Sequence, residues 1–330
     1  MLKKIFHSLI KSKQVKVLKA GCVRLWRWIR KRKIWLFLTL FLILLIFVIG
    51  YFEGLQQANE KMQVFPDIYP GMRLLVVSPH PDDEILMAGG LIQKILKADG
   101  EVKVVFMTSG DGSRDTVNRE NLSPDYSAEE YIGIGKTRMQ EAVATDTRLG
   151  IPLKDIVFLG FPDGGLKDTY YKHFSISDGV YTSQTTKTNS VPYDQAYQFG
   201  QQYLGKYLVK DLEDIIQEFK PNIVVTTSPN DTHPDHNTSF FAVQRAKEGL
   251  DANWPIFTAI VHYYNYPPKS GNLVPPKKIF STSWYSLQLT SGERQIKIDA
   301  GKKYTSQYAN SLDRNLFVNL SAKNEIFEKK

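Results

Sequence analysis

The residues best suited to chemistry in this chain lie in two short stretches. One is Ser78-Pro79-His80-Pro81-Asp82-Asp83-Glu84, and the other is His233-Pro234-Asp235-His236. Outside the N-terminal leader there are five histidines (His80, His173, His233, His236, His262), and three of them fall in these stretches. Imidazole beside carboxylate is the ligand chemistry of a divalent metal, and catalytic zinc usually takes three protein ligands and leaves one position open. The single cysteine, Cys22, sits far upstream. Disulfides and thiolate ligation are therefore excluded from the remainder, and histidine and carboxylate are left as ligands. His80 and Asp83 both point inward if Pro81 fixes the turn between them; a third ligand then comes from His233 or His236. Acids at a helix start also cap free amides, worth ~0.3–1 kcal/mol. Capping needs one acid and no histidine, so the repeated His-Pro-Asp pattern argues for a site.

Both stretches need elements that hold them face to face. Each follows a short apolar run, Leu74–Val77 or Ile223–Val225, and each precedes a helical pattern. Strands are predicted at 74–77, 102–107, 156–159, 223–227 and 256–262. Helices are predicted at 84–97, 135–149, 203–219 and 236–248. This alternation predicts an α/β fold: a Rossmann-like, doubly wound, mostly parallel sheet with helices on both faces. In such a sheet ligands bind beyond the carboxyl ends of strands at the switch point, so the strands at 74 and 223 are expected to be neighbours. Gly89-Gly90 inside the first helix costs ~1 kcal/mol per glycine against alanine, which suggests close packing on the sheet. Residues 167–201 are rich in Tyr, Ser and Thr and read as an insertion forming a rim, a lid or an ordered surface loop. Residues 270–330 read as extra strands and a helix near 300–310.

The net charge of +8 and pI of about 9.2 mislead as averages. Residues 1–33 carry twelve Lys or Arg and no acid, so residues 34–330 net −4, and no nucleic-acid partner is expected. Ile34–Phe52 is 19 residues without a charge, spanning ~28 Å at ~1.5 Å per residue, close to the hydrocarbon thickness of a bilayer. A transmembrane helix is expected at 34–52, after a basic cytoplasmic leader at 1–33. The leader either lies on an anionic leaflet through Leu25, Trp26 and Trp28 or is a solvated tail. A cleaved signal peptide fits less well, because Gly50-Tyr51-Phe52-Glu53 offers no small-residue cleavage site. The cation excess places the N-terminus in the cytoplasm and the rest outside the cell. A stalk is expected at 53–71, or an opening arm that packs Val64, Phe65 and Ile68 on the domain, and a catalytic domain at 72–330.

Pro79–Glu84 with Gly89-Gly90, together with His233–His236, resembles the paired motifs of the PIG-L/LmbE-like family of zinc-dependent N-deacetylases. Pro79 stands where many members have alanine. The resemblance continues through Thr108–Gly112, Arg138 with Glu141, and Leu159–Gly164, covering residues 72–265. It implies that His80, Asp83 and His236 bind zinc, that Asp82 is the general base, and that a protonated His233 stabilises the oxyanion. Arg138 and Asp163 match substrate-binding positions. Asp235 is expected either to orient a histidine or to cap the helix that follows. The implied reaction removes the N-acetyl group from an N-acetylglucosamine-type glycan or glycolipid. The alternatives are hydrolysis of another amide or ester on the same metal, and a non-catalytic glycan-binding module; binding alone would require neither Asp82 nor His233.

Overall fold

A computed structural model describes residues 13–60, 62–113, 126–279, 281 and 283–330. The chain divides into two units at Glu60/Lys61. Among its described residues the first has one helix, α1 (Lys13–Glu60). Within it, Arg32–Tyr51 has a mean hydropathy of 2.8 over 20 residues, none of them buried. A helix apolar all round has no face to turn toward water, and this one is long enough to cross a membrane. The Thr39 hydroxyl in mid-stretch is satisfied by donating to the Trp35 carbonyl at 2.7 Å. In the leader the Arg32 guanidinium lies over the Trp28 ring, 3.9 Å from its centroid. Residues 1–12 lie outside the described residues.

The second unit is built on an eight-stranded sheet in the order β1-β7-β8-β6-β5-β2-β3-β4. Its strands are β1 (Gln63–Val64), β2 (Arg73–Ser78), β3 (Glu101–Thr108), β4 (Ile156–Phe161), β5 (Ile223–Thr227), β6 (Ile256–Ala259), β7 (Trp284–Gln288) and β8 (Asn324–Lys329). Pairing is parallel throughout except around β8, which runs antiparallel to both β6 and β7. Leu74 to Val77 are fully buried, as continuous apolar strands in a sheet covered on both faces should be. Two groups of helices supply that cover. One comprises α2 (Asp83–Lys97), α3 (Ala128–Leu149) and α7 (Ser291–Gly301); the other comprises α4 (Leu166–Tyr171), α5 (Gly205–Phe219) and α6 (Pro234–Gly249). The short α8 (Thr305–Tyr308) and α9 (Ser311–Leu320) close the C-terminal side.

The expected neighbours do pair: Leu74 lies opposite Ile223, and the register continues to Val77 and Thr226. From β2 the chain moves outward to β3 and β4, then returns to β5 on the other side of β2. The loops after β2 and β5 therefore meet at the switch point.

Three expectations take definite form. The stretch 53–71 is not one stalk, because α1 runs to Glu60, while Gln63–Val64 joins β7 at the sheet edge and Phe65 is buried against Phe257 and Phe327. The strand predicted to reach 262 ends at Ala259, so His262 stands on a loop. The insertion at 167–201 takes the last of its three readings, an ordered segment, and carries most of α4. Tyr193 is fully buried, and none of the insertion's residues is among those lining the pocket at the switch point.

Candidate metal centre

Two prolines set up the local geometry. Pro234 occupies the first turn of α6, where its missing N–H costs nothing, and makes His233 the N-cap. The His233 Nδ1 then accepts the Asp235 N–H at 3.3 Å. On the facing loop the Pro79 carbonyl accepts from both the Thr108 N–H and hydroxyl, each at 3.0 Å. Asp82 follows with φ 129° and ψ −30°, a strained backbone for a side chain larger than glycine. That turn swings Asp83 back to accept the His80 N–H at 3.2 Å.

The result is a tight triangle of ligand atoms. Asp83 Oδ2 lies 2.9 Å from His80 Nδ1 and 3.2 Å from His236 Nε2, and the two nitrogens are 3.3 Å apart. A tetrahedral cation with bonds of ~2.0–2.1 Å sets its ligand atoms ~3.3–3.4 Å apart, so these residues fit zinc. All three are buried. His80, His233 and His236 also bring ligand atoms within 4.8 Å of one another, as do Asp83, His236 and His262. His80, Asp163 and Asp235 form a third such group, through the other face of the His80 ring.

The electrostatics also call for a cation. Asp82, Asp83, Asp163, Asp231 and Asp235 surround the histidines, and Arg138 is the positive group that faces them. Burial opposes charge on His236, but Asp83 and Asp231 outweigh it and push its imidazole up to about 10. Burial also works against ionised Asp83, yet His236 and His80 hold it well below the usual carboxylate range. Protons here occupy positions that a divalent ion would take. Burial pushes the Asp82 carboxyl up to about 7, with Arg138 pulling against it and Asp83 adding to it. His233 goes the other way: burial, His80 and His236 push it down to about 4. A protonated His233 is thus not what this environment favours. The neutral ring, its Nδ1 taken by Asp235, presents an Nε2–H donor.

The outer contacts differ from expectation. Arg138 is buried on α3: its Nη2 donates to Asp82 Oδ2 at 2.9 Å and to the Pro81 carbonyl at 2.6 Å, and Nη1 donates to the Gly110 carbonyl. Gly110 has φ +69°, and a Cβ there would collide with the guanidinium. Asp163 faces His80 Nε2 at 3.1 Å and accepts the Gly112 N–H at 2.8 Å. Asp235 stands 3.4 Å from the same nitrogen and accepts the Gly164 N–H at 2.7 Å. Its Oδ1 is buried with no partner among the described residues.

Sequence reasoning missed two residues. Asp231 Oδ2 lies 3.2 Å from His236 Nδ1 and accepts the Val261 and His262 N–H groups, while Oδ1 accepts that of His233. The His262 ring is 4.9 Å from that of His236 and lines the pocket. The pocket encloses about 190 Å³ and also meets Asp82, Arg138, Asp163, His233 and the C-terminal Leu316.

Fold and site together define an α/β protein with a buried His/Asp cluster that could hold a divalent metal. Residues 75–247, just over half of the chain, match the family model described as PIG-L: GlcNAc-PI de-N-acetylase. The chain belongs to the PIG-L family. It is 29% identical over 206 residues to a 1D-myo-inositol 2-acetamido-2-deoxy-alpha-D-glucopyranoside deacetylase of Mycobacterium sp. (strain JLS), covering 60% of this chain and 56% of that protein. It is 27% identical over 174 residues to a probable N-acetyl-alpha-D-glucosaminyl L-malate deacetylase 2 of Bacillus subtilis (strain 168), covering 52% of this chain and 59% of that one. The chain thus spans a little over half the length of these curated relatives. Among solved structures, a deacetylase–bog complex from the teicoplanin pathway superposes with a TM-score of 0.53 at 21% identity, covering 78% of this chain and 97% of that one. That likeness concerns the fold.

Proposed function

We propose that this protein is a membrane-anchored, zinc-dependent N-deacetylase acting on an N-acetylglucosamine-type glycan or glycolipid. The observation that carries the reading is the 2.9–3.3 Å triangle of His80, Asp83 and His236, with Asp82 beside it. His80, Asp83 and His236 would hold the ion, which when bound supplies a Lewis acid and eases the ionisation of water. Asp82, raised toward neutrality by burial, takes the proton of the attacking water. The water oxygen bonds to the acetamide carbon, and the neutral His233 donates its Nε2–H to the oxyanion that develops. Asp82 then returns the proton to the leaving nitrogen, the C–N bond breaks, and amine and acetate separate.

Arg138 anchors the Asp82 carboxylate on one oxygen, which fixes the other toward the pocket. Asp163 and Asp235 back the outer nitrogen of His80, and Asp231 backs that of His236. Arg138 and Asp163 also line the pocket, where substrate hydroxyls would meet them. The deacetylase names of the relatives support the bond class. The basic leader and the apolar α1 support a single span with the second unit outside the cell.

The test is acetate release from N-acetylated sugars by the full-length chain in detergent. Chelation should abolish it and zinc restore it. Asp82→Ala should lower kcat by about 10²–10⁴-fold, the usual worth of a general base, while elemental analysis still finds one zinc per chain. No acetate from any N-acetylated sugar with the metal in place would sink the proposal.

A further inference from the structure

We infer that the reaction pocket is one end of a longer saccharide-binding groove. Its far end, built by α9 and the loop after β6, receives the sugar attached to the one being deacetylated. The inference rests on the N-deacetylase reading above and extends it to the neighbouring residue of the substrate.

The pocket at the metal centre holds about 190 Å³, less than the ~300–1,000 Å³ typical of small-molecule sites. A second cavity of about 690 Å³ lies alongside it. The same two elements line both. The loop after β6 gives His262 to the first and Asn265 to Lys269 to the second. Helix α9 gives Asp313 and Phe317 to the first, Leu312, Asn315 and Asn319 to the second, and Leu316 to both. The two cavities therefore adjoin at Leu316, which lines both.

The wall of the second cavity has the chemistry of a hydroxyl-rich ligand. Leu312, Asn315, Leu316 and Asn319 recur at the spacing that puts them on one face of α9, while Phe317 and Leu320 turn into the core. Asn265, Asn315 and Asn319 each offer both donors and acceptors, as sugar hydroxyls require. Leu312, Pro267 and Pro268 supply apolar surface for the C–H face of a pyranose. An acyl chain in the same place would leave three amides facing hydrocarbon, which is costly. Lys269 is the only charged group among the described residues of this wall, so neutral or anionic sugars fit it and cationic ones do not. Both lining segments fall outside residues 75–247, the stretch the family model matches.

Acetate release by the zinc-loaded full-length chain in detergent should be compared for N-acetylglucosamine, its trisaccharide and its octyl glycoside. Per acetyl group, kcat/KM for the trisaccharide should exceed that of the monosaccharide at least about tenfold, mainly through KM. Asn315→Ala with Asn319→Ala should return that ratio to near one; an unchanged melting temperature checks that the variant folds. Equal constants for monosaccharide and trisaccharide overturn the inference, and so does a gain confined to the octyl glycoside. If no compound releases acetate, the deacetylase reading fails. The groove is then judged by calorimetry on the Asp82→Ala chain, where equal or absent binding of the two sugars overturns it.

Discussion

Asp231 ties one imidazole nitrogen and three backbone amides from two loops to a single buried carboxylate. Such outer partners fix the ring orientation of a ligand histidine, and losing one typically costs about 10–100-fold in metal affinity. Asp231→Asn should show that loss in competition with a chromogenic zinc chelator. The ligand residues themselves were legible because zinc accepts few side-chain types and the two loops repeat them. Asp231 was not, since an acid two residues before a histidine in a Ser-Pro-Asn-Asp run reads as turn chemistry. His262 was hidden for a different reason: the apolar pattern runs past the end of β6, so the residue looked like strand. Arg138 and Asp163 were legible as site residues, but their bonds to Asp82 and His80 depend on which loops cross, and no local pattern encodes that.

Helix α2 carries Asp83 at its first turn and is gripped from the far end of the chain. Glu325 on β8 accepts the Gly90 and Leu91 N–H groups at 2.7 and 2.9 Å, and Lys297 on α7 donates to the Leu86 carbonyl while pairing with Glu325 at 2.7 Å. A Cβ on Gly90 would strike Leu289 and crowd Glu325. The glycine pair thus admits a buried ion pair from the C-terminal section, where the sequence suggested packing on the sheet alone. Glu325→Ala should cost about 3–5 kcal/mol in chemical denaturation, because it strands Lys297 in the interior. A second element carries a pH signature. Asp211 on α5 is held by Gln201, and burial, with Asp214 adding and Lys210 opposing, pushes its carboxyl from the ordinary 3.8 up to about 7. The folded state keeps a proton that the unfolded chain has released between those values, so stability falls as pH rises through that window. Asp211→Asn should therefore gain on the parent from pH 4 to pH 8, by at least the about 2–4 °C that ~1 kcal/mol gives a domain of this size. Strands β2 to β6 and helices α2, α3, α5 and α6 were legible from apolar runs and glycine or proline stops. β1 was not, being two residues long, and β7 and β8 gain their identity from pairing with each other.

The molecule joins a helix apolar enough to enter a bilayer to a separate compact α/β unit. The full-length chain should sediment with membranes, resist carbonate extraction and dissolve in detergent, while residues 61–330 alone should stay in the supernatant. Protease added to intact cells should digest the second unit; protection would reverse the assigned topology. The sheet order has a further consequence. β8, drawn from residues 324–329, lies not at a margin but between β6 and β7. Trimming those few residues would expose two bare strand edges in mid-sheet, each a template for pairing with another chain. Proteolytic nicking there should therefore send this protein into aggregates.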